Sequence, residues 1–193
     1  LDTGIRARGM AHVKVLVPLG RKLARMPQTI QIRVCRELVR DIAAATRRIN
    51  DLEREIKAIV QIQSPQLLAI PGCGPLTAAK IVGETGNPAR FRNESCFAMH
   101  AGVAPIPASS GRTNRHRLAR GGNRQLNAAM HRIAVTQIRL DGPGRDYYQR
   151  RREQGDTSMD ALRVMKRKIA RRVFTTLNTP TMSTAANTFA AAA

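Results

Sequence analysis

The chain has 193 residues, with 33 Lys and Arg against 13 Asp and Glu, a net charge of +20 and a pI near 11.6. That excess calls for a polyanionic partner. The absence of Trp and the 3% aromatic content argue against a base-stacking single-strand platform and an aromatic-faced membrane-surface helix.

No run approaches the ~20 apolar residues of a spanning helix, so a cytoplasmic protein without a membrane partner is expected. The 42% apolar content is enough for one core with an appendage.

Residues 1–28 are basic and weakly patterned and read as a leader. "VKVLVPLG", Val13 to Gly20, follows basic residues as a signal peptide would. It is too short, it contains Lys14 and Pro18, and no cleavage site follows. The chain starts with Leu1 rather than Met, so its beginning is expected to lie further upstream.

Residues 29–63 carry the clearest periodicity. Leu38, Ile42, Ala45, Ile49, Leu52, Ile56 and Ile59 alternate spacings of 4 and 3, extended backwards by Ile30 and Val34. The spacing predicts a helix from about Gln28 to Gln63 with a heptad seam. Two accounts of the seam stay open: docking on its own domain, or a homo-oligomeric coiled coil through residues 30–62.

Ser64-Pro65 ends that helix and opens a helical domain expected over 64–177. In "LLAIPGCGPLTAAKIVGETG", Gly72 and Gly74 bracket a tight turn and Pro75 suits the first helical turn. Gly86 and Pro88 stop the helix. Backbone N–H groups of such a turn can hold phosphate oxygens, because no Cβ blocks the approach. Gly72, Gly74, Thr77 and Lys80 are therefore candidate DNA-phosphate contacts. A plain αα-hairpin is the structural alternative. The pattern resembles the helix-hairpin-helix of DNA repair and replication proteins, and it lacks the GxxxxGK[ST] of a nucleotide P-loop.

"PASSGRTNRHRLARGGNRQLN" follows. Arg112, Arg115, Arg117, Arg120 and Arg124 have no acidic partner in the stretch, which suits a phosphate clamp. On residue pattern alone, Ser109 and Ser110 are most simply turn formers in a solvated basic loop. Leu126, Ala129, Met130, Ile133, Ala134 and Ile138 then form a helical stripe, with Asn123 or Gly122 as its cap. "DGPG", Asp141 to Gly144, is a turn. A last helix, capped by Thr157 or Ser158, turns Leu162, Met165, Ile169 and Val173 inward and sends Arg163, Lys166, Arg167, Arg171 and Arg172 largely elsewhere. Residues 178–193 read as a disordered tail. Cys35, Cys73 and Cys96 form no CxxC pair and are expected as three buried thiols. Cys96 and His100 alone make no zinc site.

Three stretches, "LLAIPGCGPLTAAKIVGETG", "FRNESCFAMHAGVAPIPASSGRTNRHRLARGGNRQLNAAMHRIA" and "DALRVMKRKIARRVFTTL", occur in order. Together they resemble the C-terminal half of the DEDD insertion-sequence transposases, the bridge-RNA-guided serine recombinases of bacterial mobile elements. The resemblance covers roughly residues 27–177. It implies a mainly α fold, in which a long coiled-coil-like helix precedes a helical DNA-binding domain with a helix-hairpin-helix.

The resemblance further implies DNA transposition with Ser110 as nucleophile, or Ser109 as fallback. It implies DNA and a structured guide RNA as partners. Magnesium would be held only by an acidic resolvase-like domain that has no counterpart here, so no cofactor is expected on this chain and a truncated copy is. Two alternatives compete with the recombinase: a non-enzymatic, dimerising nucleic-acid-binding remnant, and a basic ribosome-associated helical protein.

Overall fold

The computed structural model describes residues 13–107, 116–117, 119 and 121–179. The chain divides into two units, Leu1–Glu55 and Ile56–Ala193. Among the described residues it is mainly helical, as the periodicities predict.

The first unit contains α1 (Val13–Ala24) and most of α2 (Ile30–Gln63). α1 lies within the stretch 1–28, which the weak patterning presented only as a basic leader. Its Leu16, Leu19 and Leu23 are buried at helical spacing, and Leu19 and Leu23 pack on Ile32 with Met26 and Val39 alongside. Pro18 lies inside this helix, where its ring removes one backbone hydrogen bond. The turn into α2 is tied by Gln28, whose Nε2 donates to the carbonyls of Met26 at 2.6 Å and Leu23 at 3.2 Å. Arg36 donates to Gln28 Oε1 at 2.6 Å.

α2 thus has two apolar faces. One carries Ile32, Val39 and Ala43 inward. The other is the heptad seam, and Leu38, Ile42, Ile49 and Leu52 on it are 41–61% exposed.

The second unit comprises the end of α2, then α3 (Pro65–Leu68), α4 (Pro75–Thr85), a 3-10 turn (Pro88–Arg90) and α5 (Glu94–His100). A two-residue antiparallel ladder of β1 (Ile106–Pro107) and β2 (His116–Arg117) follows. The chain continues through α6 (Arg124–Arg139), α7 (Pro143–Glu153) and α8 (Ser158–Asn178). α6 is the central helix: Leu126, Ala129, Met130, Ile133 and Ala134 are all buried along one stripe. α8 lays Met165, Ile169, Ala170 and Val173 into the same core. Phe97 of α5 is fully buried between Phe91 and Phe174, with ring centroids 5.4 and 5.6 Å away. Each such large apolar side chain contributes about 1.5–3 kcal/mol by leaving water.

α7 was not foreseen. Pro143 occupies its first turn, and Gly144 lets the chain lie on Gln137 of α6, where a β-carbon would come within 2.8 Å. α4 and α6 run in opposite directions and are tied at both ends. Gln137 Nε2 donates to the Pro71 carbonyl at 2.7 Å. At the other end, Asn123 Nδ2 donates to Glu84 at 2.6 Å.

Candidate nucleic-acid interface

The glycine turn precedes α4. Gly72 has φ +81°, and a β-carbon on it would meet Thr136 Cβ at 3.0 Å and the Ile133 carbonyl at 3.1 Å. Its glycine is therefore demanded by conformation and by contact with α6. Gly74, by contrast, has open space beside it and N-caps α4 without a side-chain cap, with Pro75 next. The first-turn N–H groups of α4, Thr77 among them, have no acceptor within the helix. The N-terminal dipole of α4 reinforces them at this exposed turn.

Lys80 does not join the turn. Its Nζ donates to Gln125 Oε1 at 2.7 Å, next to exposed Arg124 at the start of α6. Thr136 and Gln125 are separated by roughly 16 Å along α6. Of the residues expected to bind phosphate, Gly72 sits against Thr136 near one end of α6 and Arg124 begins the other end, while Thr77 and Lys80 are one turn apart on α4, with Lys80 reaching to Gln125.

Arg117 is exposed on β2, opposite Ile106, and His116 pairs with Pro107. Ser109, Ser110, Arg112, Arg115 and Arg120 lie outside the described residues. The arms that flank residues 108–115 are fixed below the ladder. Gly102 has φ +64°, and a β-carbon on Gly122 would lie 2.2 Å from the Gly102 Cα, so the two backbones cross in contact. Next to the crossing, the Asn123 N–H donates to the His100 carbonyl at 2.6 Å. The Asn123 side chain caps α6 by accepting from the N–H groups of Gln125 and Leu126.

Asn127, one turn on, donates to the carbonyls of Gly102 at 2.7 Å and Ala101 at 3.3 Å. Lys166 Nζ donates to Asn127 Oδ1. Lys166, expected on the outer side of α8, is instead buried. Burial, and then the nearby Arg163 guanidinium, pull its pKa down. Sequence reasoning missed this network. The signal available was "GGNRQLN" itself, where two asparagines one helical turn apart flank a helix start.

Exposed Arg132, Arg139, Arg150, Lys168 and Arg172 extend the positive surface over α6, α7 and α8. Glu94 neutralises part of it, accepting from Arg167 at 2.6 Å and standing 3.2 Å from Arg171.

The cysteines differ from expectation. Only Cys73 is buried, and burial pushes its thiol up to about 11. Cys35 and Cys96 are exposed. Among the described residues, no group of three or more His, Cys, Asp or Glu could hold a metal ion. These residues therefore offer no carboxylate cluster that fits magnesium. No helix among them is long and apolar enough to cross a membrane.

The chain is 34% identical over 139 residues to a 44.8 kDa protein of insertion element IS116 from Streptomyces clavuligerus, covering 70% of this chain and 34% of that protein. It is 36% identical over 138 residues to the 43.6 kDa protein of insertion element IS110 from Streptomyces coelicolor, covering 69% and 34%. It is also 28% identical over 145 residues to the 42 kDa protein of insertion element IS900 from Mycobacterium paratuberculosis, covering 73% and 36%. The chain spans about a third of the length of these curated relatives. Residues 64–149 match the family described as Transposase IS116/IS110/IS902. That interval takes in the glycine turn, the tied α4–α6 pair and both crossing arms, so this part of the chain is similar to the transposase domain of the IS116/IS110/IS902 family.

Proposed function

We propose that this chain is the DNA-engaging portion of a serine-dependent transposase of bacterial mobile elements. The observation that carries the reading is the family match over 64–149, which spans Ser110 and the arms that flank it. In this reading the Ser110 Oγ attacks a DNA phosphodiester, with Ser109 as fallback. One ester P–O bond breaks, a phosphoserine diester forms, and the serine proton passes to the departing DNA hydroxyl. A hydroxyl on the partner DNA end then attacks the same phosphorus and releases the serine.

Arg112, Arg115, Arg117, Arg120 and Arg124 neutralise the phosphate, with Lys80 beside Arg124. Gly72, Gly74 and Thr77 form a separate backbone contact of helix-hairpin-helix type. A structured guide RNA selects the sites by base pairing, and magnesium belongs to an acidic domain outside the described residues.

The reading divides the chain into a leader at 1–28, a long helix at 29–63, a transposase domain at 64–177 and a tail at 178–193. The exposed seam of α2 supports association of two copies through residues 30–62 as a coiled coil. The same seam favours a second reading, in which this chain only dimerises and binds nucleic acid.

The test incubates end-labelled duplex DNA with the chain, the acidic resolvase-like domain, magnesium and the element's structured guide RNA, followed by denaturing electrophoresis. A protein–DNA adduct that Ser110→Ala abolishes, with binding retained, supports the recombinase. An adduct that survives Ser110→Ala rejects the nucleophile. Binding without any adduct favours the second reading.

A further inference from the structure

Lys166 is 8% exposed in the middle of α8. Its neighbours toward the core, Met165, Ile169 and Ala170, are apolar. An aliphatic side chain at 166 would avoid the cost of desolvating an ammonium. Among the described residues, no carboxylate stands within ion-pair distance of it, and its hydrogen-bond partner is Asn127 Oδ1. Asn127 passes the tie on, because its Nδ2 holds the carbonyls of Ala101 and Gly102. Those carbonyls lie where the chain leaving α5 crosses the returning chain at Gly122. One carboxamide therefore joins α8, α6 and the crossing. The ladder at Ile106–Arg117 and Pro107–His116 stands a few residues further along the same two arms.

We infer that Lys166 and Asn127 are positioning residues, which hold Ala101 and Gly102 against the returning chain at Gly122 and so fix the register of the Ile106–Arg117 ladder. The effect expected on adduct formation rests on the proposed role of Ser110; the mechanical tie does not. A charged donor fixes the amide's orientation: only with Oδ1 toward Lys166 does Nδ2 face the two carbonyls.

The test makes Lys166→Met and Asn127→Asp in the full chain and follows backbone hydrogen exchange by mass spectrometry together with thermal melting. Asn127→Asp keeps an acceptor for Lys166 and removes both donors to the arm, so it remains informative if Lys166→Met fails to fold. Both variants are expected to melt within about 3 °C of the parent. Amides in the two arms should exchange about tenfold faster, while α4 and α8 keep their protection.

Unchanged exchange in the arms overturns the inference. So does a uniform rise in exchange with a lower melting temperature in both variants, which makes the pair ordinary core support. In the adduct assay, Lys166→Met should slow adduct formation about tenfold at unchanged DNA affinity. Adducts that survive Ser110→Ala remove the serine reading and leave the exchange result standing.

Discussion

Gly122 passes Gly102 so closely that a β-carbon on Gly122 would lie 2.2 Å from the Gly102 Cα and 2.3 Å from its nitrogen. Neither neighbour is the movable end of a side chain, so relief requires backbone displacement. Gly122→Ala is expected to lower stability by at least about 3 kcal/mol. Gly83, inside α4, has nothing within 4 Å of its β-carbon position. Gly83→Ala should therefore raise stability by about 0.5–1 kcal/mol. Urea unfolding of the two variants beside the parent checks both signs.

The three thiols should separate by reactivity. At neutral pH, a chromogenic disulfide reagent should modify Cys35 and Cys96 quickly and Cys73 only on unfolding. The raised Cys73 pKa also makes stability depend on pH. Between the ordinary 9.0 and about 11, the unfolded thiol ionises while the folded one does not. Stability conferred by the folded thiol is whole below 9.0, falls through this window and levels off above it. Lys166, shifted downward, acts with the opposite sign as pH rises toward 10.5. The difference between the parent and Cys73→Ala isolates the thiol, and a difference that stays flat across the window would contradict its burial.

The exposed seam of α2 should set the oligomeric state. Leu38→Asp with Leu52→Asp removes apolar surface from the open face and leaves Ile32, Val39 and Ala43 in place. Size-exclusion chromatography with light scattering should give a dimeric parent and a monomeric variant of unchanged helix content. Ile56 is unsuitable for this purpose, because it packs against the main core. A parent that is already monomeric would refute association through this helix.

Duplex DNA binding should weaken steeply with salt. Lys80→Ala and Arg124→Ala should each reduce the slope of log affinity against log salt by about 1. Gly74→Ala meets no atom within 4 Å and should fold normally while weakening binding, if the turn's backbone approaches phosphate. Fluorescence anisotropy across a salt series measures all three, and a flat parent response would exclude phosphate contact as the source of affinity.

The sequence made α2, α6 and α8 legible because each repeats apolar residues at helical spacing over many turns. α1 was hidden although Leu16, Leu19 and Leu23 carry the same spacing, since Pro18 and the surrounding basic residues argue against a helix locally. α7 was hidden because its charged surface has no buried stripe to announce it. Gly72 was read for a phosphate's approach, whereas its β-carbon position meets α6. That distinction is tertiary, because either neighbour demands the same residue. The burial of Lys166 ran against the strong tendency of lysine to stay exposed. Its partner Asn127 lies 39 positions away, beyond any local pattern. The crossing of Gly102 and Gly122 likewise exists only once the chain has turned back on itself.

That crossing has an engineering consequence. The two arms are locked to each other before the chain departs at Pro107 and after it returns at His116. A substitution at either glycine of the crossing therefore displaces both arms at once, not one alone.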